Sequence, residues 1–213
     1  MKVGIIGSGS VGQILAKGFH THGHEVMIGS RDPSKLQNFA HQNHGKIHTG
    51  TFSETAKFGE LIVLAVKGEA ALSALEIAGR ENLTEKTIID TTNPIGDKPP
   101  VNGVIHFYTS LEHSLMEKLQ EAFPAAHFVK AFSCIGGSYM VNPDFNGVKP
   151  SMFICGNQDS SKKLVTDILL SFGFEVEDMG KVEAARAIEP LCILWCIPGF
   201  LGNGWNHALK LIR

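Results

Sequence analysis

Neither sign of charge dominates this sequence. Nineteen Lys and Arg face 21 Asp and Glu, for a formal net charge of -2. That balance leaves no electrostatic footprint for nucleic acid or an anionic membrane. Long apolar runs are missing too. The longest, residues 191–201, is well short of the ~20 residues that a spanning helix needs, and Pro198 interrupts it. Cysteine is sparse, and Cys134, Cys155, Cys192 and Cys196 follow no disulfide or zinc spacing. The opening Met1-Lys2-Val3-Gly4-Ile5-Ile6-Gly7 reads as a strand running into glycine, too short for a signal-peptide core. These absences point to a reducing cytoplasm. No Ser/Gly-rich linker, charge block or repeat divides the chain, and it holds no nucleophile elbow, P-loop or HExxH.

What is present is apolar surface, at 43% hydrophobic residues, which is enough to offset the ordering entropy of a fold. At roughly 150 residues per domain, the chain is one large domain or one with an appendage. Short apolar runs alternate with segments of helical length. Strands are expected at residues 3–6, 25–28, 46–48, 61–66, 87–90, 127–131, 152–155 and 175–178. A helix is expected at residues 13–22, with Ile14, Leu15, Gly18 and Phe19 on one face. Asp32-Pro33 gives the next helix an N-cap and a first-turn proline. Thr109 and Glu112 have capping-box spacing before Leu111, Leu115, Leu119, Ala122 and Phe123. Alternating strands and helices predict an α/β, doubly wound, mostly parallel sheet of the NAD(P)-binding Rossmann type. The run Leu61-Ile62-Val63-Leu64-Ala65-Val66 is apolar throughout, as a strand covered on both faces must be. The pattern sets residues 1–180 apart from a helical tail at 181–213. That tail reads as two apolar helices broken near Ile197-Pro198-Gly199, and it must pack on the sheet unit or on a second subunit.

Gly7-Ser8-Gly9-Ser10-Val11-Gly12 is G-x-G-x-x-G, and it lies between the first strand and the first helix. In that setting Gly7 makes the tight turn, Gly9 admits a pyrophosphate against the backbone, and Gly12 lets helix and strand pack closely. The helix N-terminus offers free N–H groups and partial positive charge to phosphates. Enzymes that use NAD place an acid at the end of the second strand. Here the chain reads Gly29-Ser30-Arg31, which suits a 2′-phosphate, and Lys35 stands one turn further on. Asp32 reads better as the cap before Pro33 than as a ribose ligand. NADP is therefore favoured over NAD.

Ligands of such sheets sit beyond the carboxyl ends of the strands. The segments there are Ala65-Val66-Lys67-Gly68, Thr91-Thr92-Asn93-Pro94 and Phe132-Ser133-Cys134-Ile135-Gly136-Gly137. Asn93 is a partner for ribose or carboxamide, or a turn residue ahead of Pro94. Gly136-Gly137 admits a ring or is plain loop. Cys134 is either a group near the redox centre or, the better reading, a small packed thiol. His20 and His22, two apart, share no helical face, Gly23 intervenes before His24, and no metal site is expected. Cys192 and Cys196, four apart, read as buried packing. Trp195, Phe200 and Trp205 make a subunit interface, an apolar pocket, or both.

These motifs resemble the F-420-dependent (deazaflavin-linked) NADP oxidoreductases over nearly the whole chain. The resemblance is carried by the 7–12 loop, Gly29-Ser30-Arg31, Asp90-Thr91-Thr92-Asn93-Pro94, Val129-Lys130-Ala131-Phe132, Ile154-Cys155-Gly156-Asn157 and Glu189-Pro190-Leu191. The middle segments are also similar to the cytosolic reductase domain of the STEAP metalloreductases. The resemblance implies NADP(H) held by Ser8, Gly9, Ser10 and Val11, with Ser30, Arg31 and Lys35 on the 2′-phosphate. It places Val66, Asn93, Ala131 and Ser133 near the ribose and nicotinamide. Ala65, Lys67, Pro94, Cys134 and Ile135 flank them in the same segments. It also implies a homodimer through the tail helices. The implied activity is hydride transfer between NADPH and a small planar redox acceptor, with a deazaflavin, FMN or FAD as second substrate. A flavin, ferric or cupric reductase and a non-catalytic NADP sensor are the alternatives. No catalytic side chain is assigned, because ring-to-ring hydride transfer needs positioning rather than a general acid or base.

Overall fold

The computed structural model describes all 213 residues. The elements run β1 (Lys2–Ile6), α1 (Ser10–Thr21), β2 (Glu25–Gly29), α2 (Gln37–Gln42), β3 (His48–Gly50), α3 (Phe52–Phe58), β4 (Leu61–Leu64) and α4 (Ala71–Ala78). After them come β5 (Thr87–Asp90), α5 (Leu115–Ala122), β6 (His127–Lys130), β7 (Ser151–Ile154), α6 (Asp159–Ser171), β8 (Glu175–Asp178), α7 (Ala185–Ile188) and α8 (Leu191–Phe200). Six strands form one parallel sheet in the order β3-β2-β1-β4-β5-β6, and β7 and β8 form a separate parallel pair. The strand order reverses between β1 and β4, which opens a crevice at their carboxyl ends.

Period-2 alternation divides the core between the two faces. Val3, Ile5, Val26, Ile28, Leu61, Val63, Ile89 and Val129 pack with Leu15, Ala16 and Phe19 of α1 and Val165, Ile168 and Leu169 of α6. Ile6, Ile62, Leu64, Ile88 and Phe128 face Phe52 and Ala56 of α3, Leu75 and Ala78 of α4, and Leu115 and Leu119 of α5. β4 is fully buried along its length, as its unbroken apolar run requires.

Several boundaries differ from the sequence reading. β3 begins at His48, because Ile47 enters the core from the turn ahead of it while His48, Thr49 and Gly50 pair with β2. β4 and β6 stop at Leu64 and Lys130, short of residues 66 and 131, since the chain turns away over the crevice there. The capping box ahead of α5 is Ser114 with Glu117, not Thr109 with Glu112. Two copies of the motif follow one another, at 109–112 and 114–117, and the later one wins for two reasons. Its Glu117 also takes the guanidinium of Arg186, and Glu189 accepts from the N–H groups of Leu115 and Met116 at 3.0 Å each. The tail breaks at Glu189-Pro190 rather than near Pro198. α8 runs through Pro198 to Phe200, where the missing N–H falls in the last turns and the helix ends two residues later. Residues beyond it form no second helix. They run extended to β7, where Ser151 N–H donates to Leu209 O at 3.0 Å and Leu211 N–H to Ser151 Oγ at 3.0 Å.

Candidate active site

The glycine loop is shaped by backbone contacts. Gly7 has φ +131, and a Cβ there would lie 2.1 Å from the Ala65 carbonyl oxygen. A Cβ on Gly12 would lie 2.0 Å from the Gly7 carbonyl oxygen, so this residue sets how closely α1 seats on β1. Gly9 is the opposite case, since a Cβ there meets no protein atom within 4 Å. Gly9 caps α1 without a side chain, and the first turn holds no acidic residue. The free N–H groups of that turn therefore face an open cradle.

At the end of β2 the buried Ser30 accepts at Oγ from the Ser8 hydroxyl at 3.2 Å and from the Asp32 N–H at 3.2 Å. The Asp32 carboxylate accepts from the Ser34 N–H at 3.1 Å and the Ser34 hydroxyl at 2.6 Å, and these bonds hold its pKa below the usual carboxylate range. Asp32 is thus the cap of the 3-10 turn Pro33–Leu36. Arg31, Lys35 and Lys67 are exposed and make no ion pair. Arg31 and Lys35 join Gly7, Ser8, Gly9, Ser30, Ala65, Val66 and Lys67 around a pocket of ≈ 260 Å³.

Gly9, Ala65, Val66 and Lys67 are shared with a second cleft of ≈ 610 Å³, which Ser10, Val11 and Asn93 also line. The two form one groove from the end of β2, across the head of α1, to the end of β5. Thr91 and Thr92, in a segment the sequence singled out, also line this groove, and sequence reasoning missed Ile95, Gly96, Asp97 and Glu69 there. The hairpin with its Ile95–Phe107 bridge carries no signal beyond scattered turn residues.

Not every expected residue faces the groove. Gly12 lies under the loop, and Pro94, Ala131, Ser133, Cys134 and Ile135 are buried behind its far end. Phe132 holds this segment with φ +62, a left-handed conformation that a bulky residue adopts only when its surroundings impose it. Its ring is fully packed, and no local sequence signal announces the strain. The Asn93 amide donates to the Ser133 carbonyl at 2.7 Å, while Asn93 Oδ1 and Ser133 Oγ are buried and have no partner. Unpartnered buried polar atoms are costly, and two on residues joined by that bond, at the end of a groove, mark a place for a polar ligand. Burial pushes the Cys134 thiol up to about 12, so it stays protonated and is no redox nucleophile.

Behind the groove lies a group that the sequence reading did not identify. Lys130 is fully buried, and its ammonium contacts Asp90 Oδ2 at 2.7 Å, Glu189 Oε1 at 3.0 Å and the Thr92 carbonyl at 2.9 Å. Its pKa is raised despite full desolvation, because two carboxylates face it. A lysine ending an apolar strand is the only trace of this in the sequence.

The tail reaches the same end of the site. A Cβ on Gly136 would lie 2.9 Å from the Trp195 ring. Trp195 stacks on His207 with ring centroids 5.0 Å apart and packs against Trp205 at 5.4 Å. Trp195 Nε1 donates to the His207 carbonyl at 3.0 Å. Elsewhere, the His22 ring bonds Asn142, and His24 lies edge-on to Phe19.

The residues therefore fit a nucleotide with an added phosphate: an anion cradle at Gly9, unpaired cations beside Ser30, and orphaned polar atoms at the far end. Comparison with known proteins agrees. Residues 2–94 match the family described as NADP oxidoreductase, coenzyme F420-dependent. The chain is 33% identical over 199 residues to the F420-dependent NADP reductase of Methanothermobacter thermautotrophicus, covering 89% of this chain and 80% of that protein. It is 31% identical over 210 residues to the metalloreductase STEAP3 of Rattus norvegicus, of whose length it spans only 39%. A crystal structure assigned as an F420-dependent NADP reductase from Arthrobacter sp. FB24 superposes with a TM-score of 0.93, at 32% identity and 100% coverage of both chains. No helix is long and apolar enough to cross a membrane. The chain belongs to the F420-dependent NADP oxidoreductase family and is an oxidoreductase of that NADP-dependent group.

Proposed function

We propose that the groove binds NADP(H) with its 2′-phosphate on Ser30, Arg31 and Lys35, and that the protein passes hydride between this nucleotide and a deazaflavin or flavin acceptor. The observation that carries the reading is Arg31, a guanidinium at the end of β2 with no carboxylate to pair with. Its planar donors suit a phosphate dianion. Gly9, Ser10 and Val11 at the head of α1 hold the pyrophosphate, with Gly7 and Gly12 shaping the turn beneath them. Ala65, Val66 and Lys67 wall the middle of the groove. Asn93 Oδ1 and Ser133 Oγ take the ribose hydroxyl or carboxamide, and Pro94, Ala131, Cys134 and Ile135 back that end. When bound, the nucleotide supplies a hydride at nicotinamide C4. The chain's own part is to orient that ring and exclude water, since stacked planar rings at near-attack distance need little else.

The acceptor docks at the aromatic tail beside Gly136, where Phe200 and Trp205 offer apolar surface over the buried Trp195. Leu194, Phe200, Leu201 and Trp205 are about half exposed on that tail, which supports a homodimer through α8. Four unpaired cysteines support a reducing, cytoplasmic setting.

A second reading, an NADPH-dependent flavin or metal-chelate reductase, draws on the identity to the metalloreductase. The test is steady-state NADPH oxidation with deazaflavin, FMN, FAD and ferric or cupric chelates. Turnover with deazaflavin or flavin is the expected result, and turnover with chelates alone selects the second reading. Tight NADPH binding with no turnover on any acceptor refutes both and leaves a sensor.

A further inference from the structure

A buried ion cluster is weak evidence for stability. Desolvating three charges costs several kcal/mol per ion before their attraction is counted, and apolar replacements are often neutral or better. The question is therefore what geometry this cluster imposes. The ammonium of Lys130 donates to the Thr92 carbonyl at 2.9 Å and is ion-paired with Asp90 Oδ2 and Glu189 Oε1, at 2.7 and 3.0 Å. The other oxygen of Asp90 accepts from the Thr92 N–H at 2.9 Å and the Thr92 hydroxyl at 2.7 Å. Thr92 is thus gripped at its N–H, its hydroxyl and its carbonyl. The carbonyl belongs to the peptide that joins Thr92 to Asn93, so that peptide plane cannot rotate. The next side chain is Asn93, whose amide meets the Ser133 carbonyl and whose Oδ1 is left without a partner.

Glu189 extends the unit. It lies where the tail breaks between α7 and α8, and its carboxylate also caps the first turn of α5. One lysine on β6 therefore ties together the exit of β5, the start of α5 and the junction of the tail. Those are the parts that frame the far end of the groove.

We propose that Lys130, Asp90 and Glu189 form a positioning unit, which fixes the peptide between Thr92 and Asn93 so that Asn93 meets the nicotinamide half of the nucleotide. This rests on the reading of the groove given above. The unit touches no ligand itself and acts through Thr92 and Asn93. Its loss is felt at one end of the groove only, since the Arg31 pocket is lined from the ends of β1, β2 and β4 and from α3 and α4, and by none of Lys130, Asp90, Thr92, Asn93 and Glu189.

The test compares two ligands on the full chain by calorimetry: NADPH, which spans the groove, and 2′,5′-ADP, which carries only the adenosine half. The variants are Glu189→Gln, which keeps the side-chain shape, and Lys130→Met, which removes the cation. Thermal melts verify that each is folded, and Glu189→Gln carries the test if Lys130→Met is not. The loss of one well-placed hydrogen bond sets the expected drop in NADPH affinity at roughly three- to tenfold, with 2′,5′-ADP unchanged within about twofold. Equal losses for both ligands, or none for either, overturn the positioning role. Failure of the unaltered protein to bind 2′,5′-ADP overturns the groove reading itself, and the proposal with it.

Discussion

Arg31→Ala probes the most exposed part of the proposed site. The side chain contacts no carboxylate and forms no hydrogen bond in the protein, so removing it leaves no buried charge and no broken pair. The folded state should melt within about 1 °C of the parent, as is usual for surface changes free of such features. Its effect belongs to the ligand. A hydrogen bond to a charged group contributes about 1.5–3 kcal/mol, which corresponds to roughly a 10- to 150-fold change in affinity. Arg31 lies in the open, where solvent and salt weaken the attraction, so the low end applies. Lys35 remains beside the pocket and keeps part of the attraction. The expected result is thus an NADPH affinity reduced about tenfold, while NADH, which lacks the phosphate, changes less than twofold. Titration of both nucleotides by fluorescence or calorimetry measures this directly. The gap between parent and variant should also narrow as salt rises. Equal losses for NADPH and NADH would show that the guanidinium does not grip the extra phosphate, and the preference for NADP would fall.

Two further substitutions separate fold from ligand. Gly9→Ala adds a methyl into space where no protein atom lies within 4 Å, whereas Gly12→Ala drives one to 2.0 Å from the Gly7 carbonyl oxygen. The first should leave the melting temperature unchanged and weaken NADPH binding, and the second should lower the melting temperature by several degrees; thermal melts with and without NADPH check both, and the opposite pattern would refute the assignment of the cradle. Ser133→Ala removes a buried hydroxyl that has no partner in the protein. The free protein should be as stable or slightly more so, while NADPH affinity drops a few-fold; a destabilised free protein with intact binding would mean that the hydroxyl serves the fold.

Much of this architecture could be read from local signals. Alternation placed all eight strands to within two residues at either end, β5 and β8 among them at their observed bounds, because the apolar pattern of the covered sheet is strong. The glycine loop was legible because its constraints are local, between Gly7, Gly12 and the strand beside them. Asp32 announced its cap because Pro33 follows it. Signals failed where a residue answers to a distant partner. Thr109 and Ser114 offer the same capping spacing, and only the contacts of Arg186 and Glu189, some 70 residues away, select the second. Pro198 looked like a break, but α8 runs through it and ends two residues later, with the loss of the one backbone hydrogen bond that proline cannot donate.

The cations show the same division. Lys35 and Lys67 stand free at the groove, and Lys130 is sealed beneath it, yet all three are lysines following strand or turn signals. What separates them is which charges the folded chain brings near. Arg31, Lys35 and Lys67 are exposed and make no ion pair, so their field is directed at whatever enters the groove. Lys130 meets two acids, one at the end of the neighbouring strand β5 and one at the tail junction, and its field is spent inside the protein. A cation free in solvent selects a ligand by charge, and a cation saturated in the interior fixes the backbone that orients it. The groove needs both kinds: one end discriminates the phosphate and the other holds the ring at a defined angle. That division explains why the two ends should respond separately to substitution, with Arg31→Ala altering the choice of nucleotide and Glu189→Gln altering only the half that reacts.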